Sequence, residues 1–433
     1  MKILPDSQHF DSINELKNSI IRSINNFKLP YEVSDKNDSF FNPEDGTFEV
    51  ILNKQNEKIL IPDDRMYPFL FRGQQCGWTL RPSLYREKSA DNTDIFIDRL
   101  RLTEFSILLN THPVVKGFFR KHNFKIDYLG LAQHYGLKTE VIDFTNDLDI
   151  ALFFSICSLN KTLDCFEPNL NDGLHEAFLY IAVPVFYIDV KTKSFLDNKI
   201  SVIGMQPFKR PGVQKGFSFH CNQQENLDIF KYSFNYTKED SKYFFDKFEQ
   251  GKKLWIHDIL AEKAERVKGQ TAFSTDTFSQ TWVNYPVNGL SKSKLLKLLL
   301  EKGVQISTHI DIPKFTASEC SEIIDEWNNR QKIQAINQIR RRFWHEKEEN
   351  TNRVGRRHEF RTIQMLTDIE LLRLVGNRSN LEELESNSYN PIHPSKKMSS
   401  LLSNQNGESW EKVYSRFELA KSEKFLTESD CLM

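Results

Sequence analysis

The chain has 433 residues, 58 Lys and Arg against 59 Asp and Glu, and 39% hydrophobic residues that include 34 Phe. That is the composition of a globular protein with a sizeable core, slightly too long for one domain. The balanced charge offers no global field to a polyanion, which excludes a basic coat protein and leaves any phosphate-bearing partner to a local patch.

In chain order, Ile13, Leu16, Ile20, Ile21 and Ile24 recur at helical spacing and predict a helix over Ile13–Phe27. A polar turn, Asp35–Gly46, then leads to a predicted hairpin, with apolar residues at Phe48, Val50, Ile51, Ile59 and Ile61 around the loop Asn53–Lys58. These make an N-terminal helix and hairpin, residues 1–64. From Met66 to Trp327 short strand-like runs alternate with helical ones, which predicts an α+β fold over 65–330: a mixed sheet with flanking helices forming a cleft. Helical runs follow at Ser318–Trp327, Ala335–Trp344 and His358–Val375, so residues 331–433 read as a helical C-terminal extension. No stretch approaches the ~18–20 apolar residues that cross a bilayer, and the opening MKILPDSQHFDS is not a signal peptide. The six cysteines are scattered without a C-x-x-C pair. The expectation is a reduced, cytoplasmic chain with no metal and no membrane association. The P-loop, dinucleotide and zinc-peptidase motifs are absent, which sets those classes aside.

Three segments place polar side chains in apolar, well-patterned surroundings. In Phe71-Arg72-Gly73-Gln74 a short strand ends at Arg72 and turns at Gly73, where the missing Cβ lets a phosphate or carboxylate approach the guanidinium. Residues 127–154 read as a helix over Leu129–Tyr135 capped by Gly136, a strand Thr139–Asp143, Thr145 or Asn146 as N-cap, and an apolar helix through Ala151–Phe154. Gln133, His134 and Tyr135 then sit near Asp143 and Thr145, and a His beside a carboxylate can orient a substrate or move a proton. In the third segment Pro211-Gly212 signals a turn and Val213–His220 alternates as a strand. Gly216 marks a bulge or a close approach, and Arg210 and Gln214 are candidates to face a ligand. For each segment the plainer reading is structural: an ion pair at Arg72, caps at His134 and the Asp residues, and a buried hydroxyl at Ser155.

Together the motifs Phe71-Arg72-Gly73, Trp78-x-Leu80-x-Pro82, Ala132-Gln133-His134-Tyr135-Gly136-Leu137-x-Thr139, Asp143-x-Thr145 and Gln214-Lys215-Gly216-Phe217 closely resemble the bacterial FRG domain family, over roughly residues 65–325. Family members usually carry Arg where this chain has Glu140 and Trp where it has Phe144. The layout also resembles ADP-ribosyltransferases, which hold NAD in a split cleft. That resemblance implies that Arg72 binds the pyrophosphate or ribose, and that His134 and Tyr135 frame the nicotinamide. Asp143 and Thr145 would form the wall, and Gln214 would stand where the catalytic Glu is usual. Arg72, His134, Asp143 and Gln214 are thus the catalytic candidates, and Gly73, Gln133, Tyr135, Thr139, Thr145 and Arg210 the nucleotide-binding ones.

Three functions compete. The first is an NAD-consuming transferase or glycohydrolase acting as a toxin or phage-defence effector, with NAD as substrate. The second is a non-catalytic module that senses a small nucleotide ligand or binds a protein or nucleic-acid target through 331–361. That stretch has nine Lys and Arg against four Glu, and Arg340, Arg341 and Arg342 with Trp344 could grip phosphate and stack bases. Its plain alternative is a solvated helix face. The third is a hydrolase using His134, Asp143 and Ser155 or Ser218, for which no G-x-S-x-G elbow is present.

Overall fold

The structure, a computed structural model, describes residues 4–5, 8–26, 48–52, 58–62, 69–87, 89–120, 125–184, 199–203, 208–221, 229–310 and 312–327. The strands are β1 (His9–Phe10), β2 (Phe48–Leu52), β3 (Lys58–Pro62), β4 (Leu70–Gln74), β5 (Val141–Thr145), β6 (Cys157–Asn160), β7 (Cys165–Pro168), β8 (His175–Ala182), β9 (Ile200–Val202), β10 (Gly216–His220), β11 (Ile229–Tyr236), β12 (Ala272–Ser274) and β13 (Gln305–Ser307). The helices are α1 (Ile13–Asn25), α2 (Asn92–Asn110), α3 (Tyr128–His134), α4 (Leu148–Ile156), α5 (Lys209–Val213), α6 (Lys238–Lys247), α7 (Ile259–Gly269), α8 (Thr275–Asn284), α9 (Lys292–Glu301) and α10 (Ala317–Glu326).

Seven strands form one mixed sheet in the order β1-β11-β8-β4-β5-β10-β9. Only the edge pair β1–β11 is parallel, and the other pairs in this sheet are antiparallel. The fold is α+β, as expected. Alternation along β4 sends Leu70 into one core layer and Phe71 into the other. The first layer packs Ile142, Phe144, Phe217 and Phe219 of the sheet against Leu108 of α2, Leu131 of α3 and Ala264 of α7. The second packs Leu179, Ile181 and Phe234 against Leu16 and Ile20 of α1 and Leu152 and Phe153 of α4. A third cluster joins Phe96 and Leu100 of α2 to Phe273, Leu295 and Leu299.

The predicted N-terminal helix forms, with Ser12 accepting the Glu15 N–H as its cap. It is built into the main sheet's core, and β1 joins the sheet edge beside β11. The predicted hairpin is present as β2–β3, with Leu52 opposite Lys58. The turn Asp35–Gly46 and the whole stretch 331–433, with Arg340, Arg341, Arg342 and Trp344, lie outside the described residues. Among the described residues no helix is long and apolar enough to cross a membrane.

Local details correct the sequence reading at three places. The strand expected at Thr139–Asp143 runs instead over Val141–Thr145, because Thr139 is spent on side-chain bonds described below. The N-cap of α4 is Asp147, whose Oδ1 accepts the N–H groups of Asp149 and Ile150, rather than Thr145 or Asn146. Residues Lys209–Val213 form the short helix α5, not a turn and strand; Pro211 fits its first turn, where no intrahelical donor is needed. The backbone then reverses at Lys215, φ 48°, and β10 starts only at Gly216.

Candidate functional site

The site begins where the sheet opens. β4 pairs with β8 from Leu70 through Gln74, and β5 pairs with β10 along its whole length. Between β4 and β5 a single rung is formed, Phe71 opposite Thr145. Beyond it the strands part, and the Arg72 side chain fills the gap. Its Nη1 donates to the Asp143 carbonyl oxygen at 2.9 Å and to Asp143 Oδ1 at 2.6 Å. Burial would raise the Asp143 carboxyl, but the Arg72 charge and the hydrogen bonds to the carboxylate together outweigh it and hold the group at about 2. Arg72 Nε is buried with no hydrogen-bond partner among the described residues.

Helix α3 supplies the next two groups. Asp127 caps it by accepting the Gly130 N–H at 2.9 Å, which aims the helix C-terminus, and with it Gln133 and His134, at the gap. Gln133 Oε1 accepts from Ser83 Oγ at 3.0 Å and Thr139 Oγ1 at 2.6 Å, so its amide nitrogen faces Asp143 Oδ1 at 3.2 Å. His134 Nδ1 lies 2.8 Å from Gln214 Oε1, and Gln214 Nε2 donates to the Leu254 carbonyl at 2.9 Å. Burial lowers the His134 pKa, opposed by the Asp143 charge, so the ring is neutral near pH 7.

These groups border a cavity of about 700 Å³, a size that suits a nucleotide-sized ligand. Arg72, His134, Asp143 and Gln214 all line it, as do Gly73, Gln133 and Thr145. Sequence reasoning missed Arg81, Arg86, Trp78 and Trp255, which line it too. Arg81 and Arg86 flank the turn Ser83–Tyr85, and their presence in the polar loop after the Phe-Arg-Gly triplet was the available signal. Burial and the Arg72 charge both lower the Arg86 pKa, so like charges crowd this wall. Trp255 carried no sequence signal; its indole N–H donates to Asp164 Oδ1 at 2.9 Å, which fixes the ring. Asp143 is the one carboxylate among the lining residues.

Four expectations are corrected by the geometry. Gly73 does not turn the chain: it lies inside β4 opposite Leu179. A Cβ there would stand 1.8 Å from the Ala151 carbonyl oxygen, so the missing side chain lets α4 pack close against β4. Arg210 is buried away from the cavity lining; Nε and Nη2 donate to the Ile256 carbonyl, and the guanidinium lies 4.2 Å from the Trp255 ring and 5.1 Å from that of Tyr135. Tyr135 is buried as well, donating its hydroxyl to Asp258 Oδ2 at 2.7 Å. Thr139 is fully buried and serves to orient Gln133. Glu140, the charge-reversed position, accepts from the Tyr85 hydroxyl at 3.1 Å and lies 3.9 Å from Arg99, outside the lining. The close approach expected at Gly216 is to His134: a Cβ would stand 2.5 Å from both Cε1 and Nε2.

Ser155 donates to the Leu152 carbonyl inside α4, and Ser218 is 1% exposed, so neither offers a nucleophile to the cavity. Among the described residues no group of three or more His, Cys, Asp or Glu is placed to hold a metal ion.

The opening in the sheet thus brings arginines, a carboxylate and a neutral histidine to one cavity on an α+β scaffold. Residues 67–163 match the family model of the FRG domain. The match takes in Arg72, Gln133, His134 and Asp143 but ends before Gln214, which only the fold brings to the site. No curated protein and no solved structure matches the chain.

Proposed function

We propose that the cleft binds a nucleotide, with NAD the first candidate, and that the protein acts on it as an ADP-ribosyltransferase-like or NAD-glycohydrolase-like effector, the activity of a toxin or phage-defence protein. The observation that carries this reading is the pair of arginines in the sheet opening: Arg72 and Arg86 crowd one wall with Asp143 as the sole carboxylate lining it. Three arginines, Arg72, Arg81 and Arg86, against one carboxylate leave the lining net cationic, which favours an anionic group such as a pyrophosphate, and the exposed Trp78 offers a face to a planar base. Breaking the bond from ribose to nicotinamide builds positive charge on the sugar, which an ionised carboxylate stabilises. Asp143 is ionised at neutral pH and lies at the cleft. Gln214, expected where a catalytic Glu is usual, has both amide atoms engaged by His134 and Leu254, so the carboxylate role falls to Asp143.

The test is nicotinamide release from NAD by the purified chain, with calorimetric titration of NAD and ADP-ribose. Release that disappears in Arg72→Ala supports the reading; no binding of either ligand sinks it. Binding without release supports the second reading, a non-catalytic sensor. That reading draws on Arg72 and Asp143 being already paired with each other and on Gln214 being tied into the fold. A nucleic-acid target gripped through 331–361 belongs with it, and such binding weakens steeply as salt rises.

A further inference from the structure

The hydrogen bonds of Gln214 decide where the proton of His134 sits. The Leu254 carbonyl can only accept, so the end of the Gln214 amide that lies 2.9 Å from it is the NH2. The other end, 2.8 Å from His134 Nδ1, is therefore the oxygen. An oxygen accepts, so Nδ1 carries the hydrogen. A neutral imidazole has one ring hydrogen, which leaves Nε2 as a lone pair. That atom is buried and has no hydrogen-bond partner among the described residues. Buried acceptors are normally satisfied, and one left bare beside a cavity points to a donor that the protein itself does not supply.

We propose that Gln214 is a positioning residue that fixes His134 as the Nδ1–H tautomer, so that Nε2 accepts a hydrogen bond or proton from a hydroxyl of the ligand in the cleft. The ligand half of this rests on the nucleotide reading above; the tautomer half does not. In a nucleotide the donor is a ribose hydroxyl or the attacking water. If water attacks, its proton passes to Nε2, its oxygen bonds to the ribose C1′, and the bond to nicotinamide breaks with its electron pair leaving on the ring nitrogen. The ionised Asp143 favours the imidazolium that results. Gly216 is part of the arrangement, since a side chain there would push on the Cε1–Nε2 edge.

The experiment is nitrogen NMR of the full chain labelled at histidine, with His134 assigned by loss of its signals in His134→Gln. Expected are a protonated Nδ1 and a bare Nε2 at neutral pH, retained in Gln214→Glu, whose carboxylate also accepts, and a mixture of tautomers in Gln214→Leu. A protonated Nε2 in the native protein, or no change in a folded Gln214→Leu, overturns the tautomer assignment. Saturating ADP-ribose is expected to shift the Nε2 resonance. If calorimetry shows ADP-ribose bound and that resonance does not move, the acceptor role is overturned. If ADP-ribose does not bind at all, the nucleotide reading and the acceptor role both fall, and the free-protein spectrum still decides the tautomer. Where release is measurable, Gln214→Leu is expected to lower its rate about 10- to 100-fold at unchanged KM, with partial rescue and a displaced pH profile in Gln214→Glu.

Discussion

Arg72 takes the place of a rung in the β4–β5 ladder: its Nη1 bonds the Asp143 carbonyl at 2.9 Å and Asp143 Oδ1 at 2.6 Å. One side chain thereby closes the backbone gap that the parting strands create and carries a charge into the cleft.

That bond makes stability depend on pH in the acid range. The Asp143 carboxyl sits at about 2 when folded because the Arg72 charge and the hydrogen bonds to the carboxylate together overcome the opposing effect of burial; unfolded it titrates near ~3.9. A lowered folded pKa stabilises above the unfolded value, and that contribution is lost as pH falls through about 2. With the Asp143 side chain 37% exposed, solvent screening reduces it to about 1 kcal/mol. Urea denaturation between pH 7 and pH 2 is expected to show a shallower acid loss in Asp143→Asn than in the native chain, and parallel curves would contradict this.

Gly73→Ala is expected to unfold the domain or cost about 3 kcal/mol or more, because a methyl 1.8 Å from the Ala151 carbonyl forces α4 off the sheet. Circular dichroism and denaturant midpoints measure it. A stable Gly73→Ala protein that merely loses ligand affinity would restore the ligand-approach role for this glycine.

Arg210→Ala is expected to lower stability by about 2–4 kcal/mol, since it removes two bonds to the Ile256 carbonyl and the stacking on Trp255 and Tyr135. Arg210→Lys should recover little, because an ammonium cannot reproduce the planar fork. Chemical denaturation of the two variants checks both statements.

Arg86 lines the cavity wall, where its guanidinium is crowded by Arg72, so Arg86→Ala is expected to leave the denaturation midpoint within about 0.5 kcal/mol of native while weakening NAD or ADP-ribose binding roughly tenfold. Calorimetry at low and high salt reads it, with the difference between the two proteins shrinking as salt rises.

The order of motifs and the apolar periodicities are local, and local physics made them legible. The helix at Ile13, the apolar run of α4 and the short strand at the Phe-Arg-Gly triplet all follow from them. The family resemblance led to the expectation that Arg72, His134, Asp143 and Gln214 share one cleft, and all four line the cavity. The uses of Gly73, Tyr135, Thr139 and Arg210 were not legible. Each has the right chemistry for a ligand, and each is consumed by a partner the fold supplies: Ala151, Asp258 and Ile256 from distant segments, and Gln133 from the helix just before Thr139. Trp255 reaches the cavity for the same reason in reverse, through the packing of a remote segment. The sequence by itself determined which polar groups the domain owns. The tertiary structure alone decided which of them remain free, because a buried donor or acceptor must first be satisfied, and the fold chooses its partner.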